Sequence, residues 1–266
     1  MNNLIRKLEW RIRFVLSSIK RRILNRNNDW IMGRIACMGM DVFKILEIEA
    51  EIINMQKGRV DYLNNVIVNK KNKVAANKVI PFINRNDIKY LIFQQQIGYG
   101  LKKKPPLMLF MDSYSELTDQ RFFNYEKEWS FYANYSDINH SLEFKSKFKA
   151  EGLLDQNSLI NQYHQFFNYF RNNYGNVPII FMHFSVKLDS REKFKIRHKK
   201  IKEAIEEIKS ELQPFYSFTA DEEIVDWPEE RIPGLENFPY HYNTSTYKNL
   251  AKQVEQSGVL KSLKHN

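Results

Sequence analysis

Leu107-Met108-Leu109-Phe110-Met111-Asp112 decides the fold. Its apolar residues run on without alternation, so neither side of the segment is meant for water. A short run of this kind, opened by Pro105-Pro106 and closed by an acid, predicts a strand covered on both faces, as parallel sheets require. Val177-Pro178-Ile179-Ile180-Phe181-Met182, ending at His183, repeats the pattern. Residues 31–38 form a third apolar run, and Phe215 to Phe218 a fourth. Between them lie helical patterns. Residues 157–173 place Leu159, Ile160, Tyr163, Phe166, Phe167 and Phe170 at helical spacing. Residues 190–212 do the same with Ile196, Ile201, Ile205, Ile208 and Leu212, and residues 246–263 close the chain as a helix. Strands alternating with helices predict an α/β fold: a three-layer α/β/α sandwich with a mostly parallel central sheet. Residues 40–56 fit a helix, Val60 to Val68 a strand or extended loop, and 74–97 a helical stretch interrupted by Pro81.

The rest of the chain sets the boundaries. Its 266 residues are enough for one sizeable core, and 43% hydrophobic content is that of a globular protein. Aromatics reach 14%, serving core packing or sugar stacking. The net charge of +10 is concentrated at the start. Arg6, Lys7, Arg11, Arg13, Lys20, Arg21, Arg22 and Arg26 face only Glu9 over residues 1–26. Leu4, Leu8, Ile12, Val15, Ile19 and Ile23 recur there at spacings of three and four, which predicts a basic amphipathic helix. Such a helix, carrying Trp10 and Phe14, fits a membrane surface or the body of a protein. The chain thus divides into residues 1–28, helix and linker, and an α/β domain over 29–266. Nucleic acid is not expected as a partner, because the remainder is only mildly basic. The single Cys37 allows no internal disulfide and points to a reducing, cytoplasmic compartment, with the inner membrane face as a peripheral seat. No apolar run approaches the length of a membrane span.

In an open α/β sheet the ligand site lies beyond the carboxyl ends of the strands. That rule collects Ala36, Cys37 and Asp41; then Asp112, Ser113, Ser115, Glu116 and Asp119; then His183 and Ser185; and finally Asp226, Glu236, His241 and Asn243 from the loop before the last helix. His241, within Phe238-Pro239-Tyr240-His241-Tyr242-Asn243, is the general-base candidate, since imidazole exchanges a proton near neutrality. Asp226 or Glu236 would orient its far nitrogen. No P-loop, dinucleotide fingerprint, His-Glu-x-x-His or cysteine cluster is present, so no cofactor and no metal is expected. The cations Arg191 to Lys202 suit either an anionic glycan or lipid phosphate, or the solvated face of a helix.

The order of these features resembles the SGNH (GDSL-like) hydrolase superfamily, in its bacterial polysaccharide-biosynthesis branch. Ile35-Ala36-Cys37 with Asp41-Val42-Phe43 is similar to that branch's opening Gly-Ser-Cys block. Leu109 to Phe122, with Asp112, Glu116 and Arg121, is similar to its second block. Pro178 to His183 with the 190–212 helix is similar to its third, and His241-Tyr242-Asn243 with Tyr247 to its terminal histidine block. The resemblance implies acyl-ester chemistry, O-acetyl transfer or hydrolysis, on a surface polysaccharide or a lipid-linked precursor, with an acyl donor as a further partner. It also implies oxyanion donors: the amide of Cys37 and an asparagine, Asn65 or Asn69. Asp112 and Arg121 would shape the pocket. Ala36 stands where the family has its nucleophilic serine, and a methyl group can neither lose a proton nor attack. An engineered replacement, a natural pseudoenzyme, or a one-residue slip that makes Cys37 the nucleophile each account for it. Two other classes remain open: a metal-independent glycosyltransferase using Asp112 or Glu116 as base, and a non-catalytic glycan-binding protein.

Overall fold

The computed structural model describes residues 29–71, 74–97, 101–230 and 238–263. The predicted helix over 3–26 lies outside them. Strand β1 (Trp30–Arg34) runs parallel to β2 (Glu51–Asn54) on one side and to β3 (Leu109–Asp112) on the other. Beyond β3 follow β7 (Ile179–His183) and β8 (Phe215–Thr219), also parallel, giving the order β2-β1-β3-β7-β8. Helix α1 (Cys37–Ile45) packs with the late helix α9 (Thr244–Gln256) on one face. On the other lie α2 (Val60–Leu63), α7 (Leu159–Tyr174) and α8 (Glu192–Glu211). The three-layer α/β/α sandwich with its parallel sheet is therefore present as the apolar runs predicted. Leu109, Phe110 and Met111 are fully buried, as are Ile180, Phe181 and Met182.

Three segments depart from the sequence reading, while residues 74–97 follow it. Residues 40–56 divide into α1 and the edge strand β2, with Glu47 at φ 47° turning the chain between them. Ile52 and Ile53 satisfy helical spacing but pair with Ile31 and Met32. Gly33 permits the approach: a Cβ there would come within 2.7 Å of the Ile52 side chain. Val60 to Val68 is helical, α2 running into a π turn over Asn64–Val68, in place of the expected strand. Tertiary contacts override its β-branched composition: the Val60 amide donates to the Glu116 carboxylate at 2.9 Å, and the segment packs on α7. Residues 74–97 become α3 (Ala76–Val79), a 3-10 turn holding Pro81, and α4 (Asn86–Ile97). The last helical stretch breaks at Gly258, φ 75°, into α9 and α10 (Val259–Leu263).

A second, antiparallel sheet interrupts the alternation. The short α5 (Tyr114–Thr118) leads from β3 into β4 (Asp119–Asn124), β5 (Trp129–Asn134) follows, and α6 (Leu142–Lys147) precedes β6 (Phe148–Gly152), in the order β5-β4-β6. Phe122, Phe131, Phe144 and Phe148 form its aromatic core.

Charged side chains lock this insert to the sandwich. Arg34 bridges to Glu116 and donates to the Asp112 carbonyl. Arg197, from α8, donates to the carbonyls of Glu116 and Leu154. Lys57 lies 2.9 Å from Asp119 and 3.1 Å from Asp137. Arg59 donates to the Asp119 and Gly152 carbonyls. All four cations are at most 3% exposed. Charges this deep hold only when paired and hydrogen-bonded, which fixes the register of the two sheets.

Candidate functional site

From β1 the chain leaves toward one edge of the sheet and from β3 toward the other. The loops after these neighbouring strands therefore diverge, and such a switch point is where an open α/β sheet places a ligand site. Ala36 sits there as the residue before α1, with extended backbone and no side chain to cap the helix. Its amide donates to Asp112 Oδ2 at 2.6 Å, and the Tyr114 amide donates to Asp112 Oδ1 at 3.1 Å. Gly39 makes room for this: a Cβ there would lie 2.9 Å from Asp112 Oδ2. Asp112 thus binds the tips of β1 and β3 together.

Burial pushes the Asp112 carboxyl up to about 7, against the pull of Arg34 and the two amides. Because the folded value exceeds the unfolded one, its contribution to stability is full below about pH 4 and is lost as pH rises to about 7. Asp112→Asn is expected to be less sensitive than the parent between pH 4.5 and 7.5 in denaturant titrations. Parallel profiles for the two proteins would remove this assignment.

The loop of His241 reaches the same place. The Cys37 thiol donates to the Tyr240 carbonyl at 3.6 Å. The Tyr240 hydroxyl donates to Asp189 at 2.5 Å, and that of Tyr242 to the Ser185 carbonyl at 2.8 Å. Asn243 caps α9 through Thr246, and its amide group donates to the Ile224 carbonyl. Pinned at these points, residues 240–243 lie against the start of α1 and the segments after β7 and β8. The His241 ring packs against Phe238, centroids 5.2 Å apart. Burial holds the imidazole below the usual histidine value; Asp41 opposes the shift and Arg85 adds to it. The ring is therefore neutral at neutral pH, the state in which it accepts a proton.

The other expected residues fall out differently. Cys37 is no activated nucleophile: burial pushes its thiol up to about 12 and Asp112 reinforces this, although the Met38 amide lowers it. Alkylation by iodoacetamide at pH 7.5 is expected to be at least about 100-fold slower in the folded protein than in denaturant; equal rates would show an exposed thiolate. Asp226 keeps its carboxylate on the Trp227 amide at 2.7 Å and its carbonyl on the Asn243 amide at 3.0 Å. Asp41, within α1 and 2.8 Å from Lys44, is the acid that opposes the downward shift of His241. Glu236 lies outside the described residues. Asn65 and Asn69 are exposed on the π turn packed on α7, and no contact ties them to the tip of β1. Arg121 sits on the antiparallel sheet, 2.9 Å from Ser130 and 3.0 Å from Glu151. Glu116 is sealed in its pair with Arg34, so it cannot serve as a base. His183 is fully buried and bonds Ser217 at 3.1 Å, facing His198 rather than the switch point.

Several cations of the 191–202 run are committed: Arg191, just before α8, bonds Asp189, Lys200 bonds Glu203, and Arg197 is buried. Among the described residues no group of three metal-ligating side chains occurs, and no helix is long and apolar enough to cross a membrane. A small cleft exists at the opposite end of the sheet, lined by Phe170, Arg171, Asn176 and Gln213; it has no part in the switch point.

Tyr114 is a residue of the site that the sequence did not single out. Its ring lies among Phe184, Phe238 and Tyr240, at 5.2, 6.5 and 6.0 Å between centroids. Only its place two residues after the β3 acid could have drawn attention to it.

No family model matches the chain, and no curated protein matches it in sequence. Among solved structures, an acetyl xylan esterase (Est2A) from the rumen bacterium Butyrivibrio proteoclasticus is similar at a TM-score of 0.40 and 11% identity. The match covers 88% of this chain and 63% of that one, under two thirds of its length. At this level the likeness carries no conclusion about activity.

Proposed function

We propose that the switch point at the ends of β1 and β3 is built for acyl esters of a sugar, as an O-acetyltransferase or esterase site whose nucleophile position holds Ala36. The observation that carries the reading is the 3.6 Å contact between Cys37 and the Tyr240 carbonyl, which sets the His241 loop against the residue following Ala36. In this reading a neutral imidazole, an uncapped helix start and the nucleophile position act together, the three parts acyl transfer needs. His241 is the base, Asp41 the acid near it, and the Cys37 amide an oxyanion donor. The Ala36 amide is already spent on Asp112. The substrate class is a bacterial surface polysaccharide or its lipid-linked precursor, with residues 3–26 holding the protein at a membrane surface.

Ala36 itself favours a second reading, in which the protein binds an acylated glycan without turning it over. Ala36→Ser separates the two. Under the first reading the variant hydrolyses a chromogenic acetyl ester that the parent leaves intact. No turnover above the parent's background would leave the binding role.

A further inference from the structure

We infer that Tyr114 is a hydrogen-bond donor to the bound ligand, its phenol holding the carbonyl oxygen of an acyl ester over the tip of β1. This rests on the ester-site reading above. Tyr114 is only 8% exposed, yet its hydroxyl makes no hydrogen bond to a described residue. The other hydroxyls of this loop cluster are all engaged. Ser113 accepts the Phe184 amide, Ser115 donates to the Gln56 carbonyl, and Tyr240 and Tyr242 donate to Asp189 and Ser185. Tyr247 accepts the Tyr242 amide. The ring is buried but the hydroxyl is not sealed from solvent, so it is open to a ligand oxygen.

Its surroundings fit donation. The ring is wedged among Phe184, Phe238 and Tyr240, so it cannot swing away. Lys57 Nζ lies 5.5 Å from the ring centroid and is fixed there by Asp119 and Asp137. A cation near the ring favours loss of the phenol proton and so makes its O–H a better donor, against the effect of burial. Burial pushes the phenol up, so it keeps its proton across the working range. The Tyr114 amide shares the Asp112 carboxylate with the Ala36 amide, and its ring packs on Tyr240, whose carbonyl takes the Cys37 thiol, which sets the residue beside the α1 start. It supplies the donor expected from Asn65 or Asn69, neither of which reaches this point.

Tyr114→Phe removes one oxygen and no packing. Because the hydroxyl has no protein partner, the thermal midpoint is expected to stay within about 1 °C of the parent. A fall of several degrees would mean a structural role and overturn the inference. In the Ala36→Ser background, Tyr114→Phe is expected to lower kcat for 4-nitrophenyl acetate by about 100-fold with little change in KM, as loss of an oxyanion donor does. Unchanged kcat overturns the inference while leaving the ester reading intact. If Ala36→Ser is itself inactive, the esterase reading has failed, and binding decides. Saturation-transfer NMR of 4-nitrophenyl acetate on the parent chain should then show contact that Tyr114→Phe weakens. Equal signals from both proteins, or none from either, overturn the inference.

Discussion

Adding His241→Ala to Ala36→Ser is expected to return the protein to the parent's inactivity, a fall of about 100- to 10,000-fold in ester hydrolysis. A serine hydroxyl keeps its proton near neutrality, so it attacks only as a base takes that proton. His241 is the imidazole carried by the loop against the start of α1, and burial keeps it unprotonated. The pH profile of Ala36→Ser reports the same group. Activity should rise with pH along a limb below the usual histidine value, because the folded imidazole is shifted down, and stay level above it. A double variant as active as Ala36→Ser, or a limb well above pH 7, would remove His241 from the mechanism.

Glu116→Gln is expected to cost about 3–5 kcal/mol of stability, the range for breaking one side of a buried ion pair. The substitution keeps the size of the side chain and removes its charge. Arg34 then remains 1% exposed with its charge uncompensated, and it also supports the Asp112 carbonyl. The expected remedy is a second change: Arg34→Leu with Glu116→Leu should recover much of the loss, since a well-packed apolar pair replaces a buried ionic one at little cost. Guanidinium titrations of the three proteins measure both effects. A single variant within about 1 kcal/mol of the parent would show that the pair is not what anchors the insert.

What the sequence disclosed follows from how each element is buried. Strands covered on both faces, such as Leu109–Asp112 and Ile179–His183, must be apolar throughout, and such runs have few other meanings. β2 is an edge strand of intermediate burial, so its Ile52 and Ile53 fit a helix as well as a strand until Ile31 and Met32 are placed beside them. The antiparallel insert carries no long apolar run and stayed unread. The position of His241 just before the closing helix was legible because a turn leading into a helix is a local pattern. The polar layer was not: Arg34, Lys57, Arg59 and Arg197 look like surface cations, and only the fold supplies the carboxylates and carbonyls that bury them. Tyr114 escaped for the opposite reason. Buried tyrosines are common, and an unused hydroxyl becomes visible only when every neighbour's partner is known.

The Cys37–Tyr240 contact joins positions 203 apart in the chain. During synthesis the first strand and helix leave the ribosome long before the segment that roofs them. All five strands of the parallel sheet end by Thr219, before the roofing segment is made. A high share of such distant contacts goes with slow folding. A nascent chain stalled before residue 240 should therefore present a nearly complete sandwich whose ligand end is still unroofed.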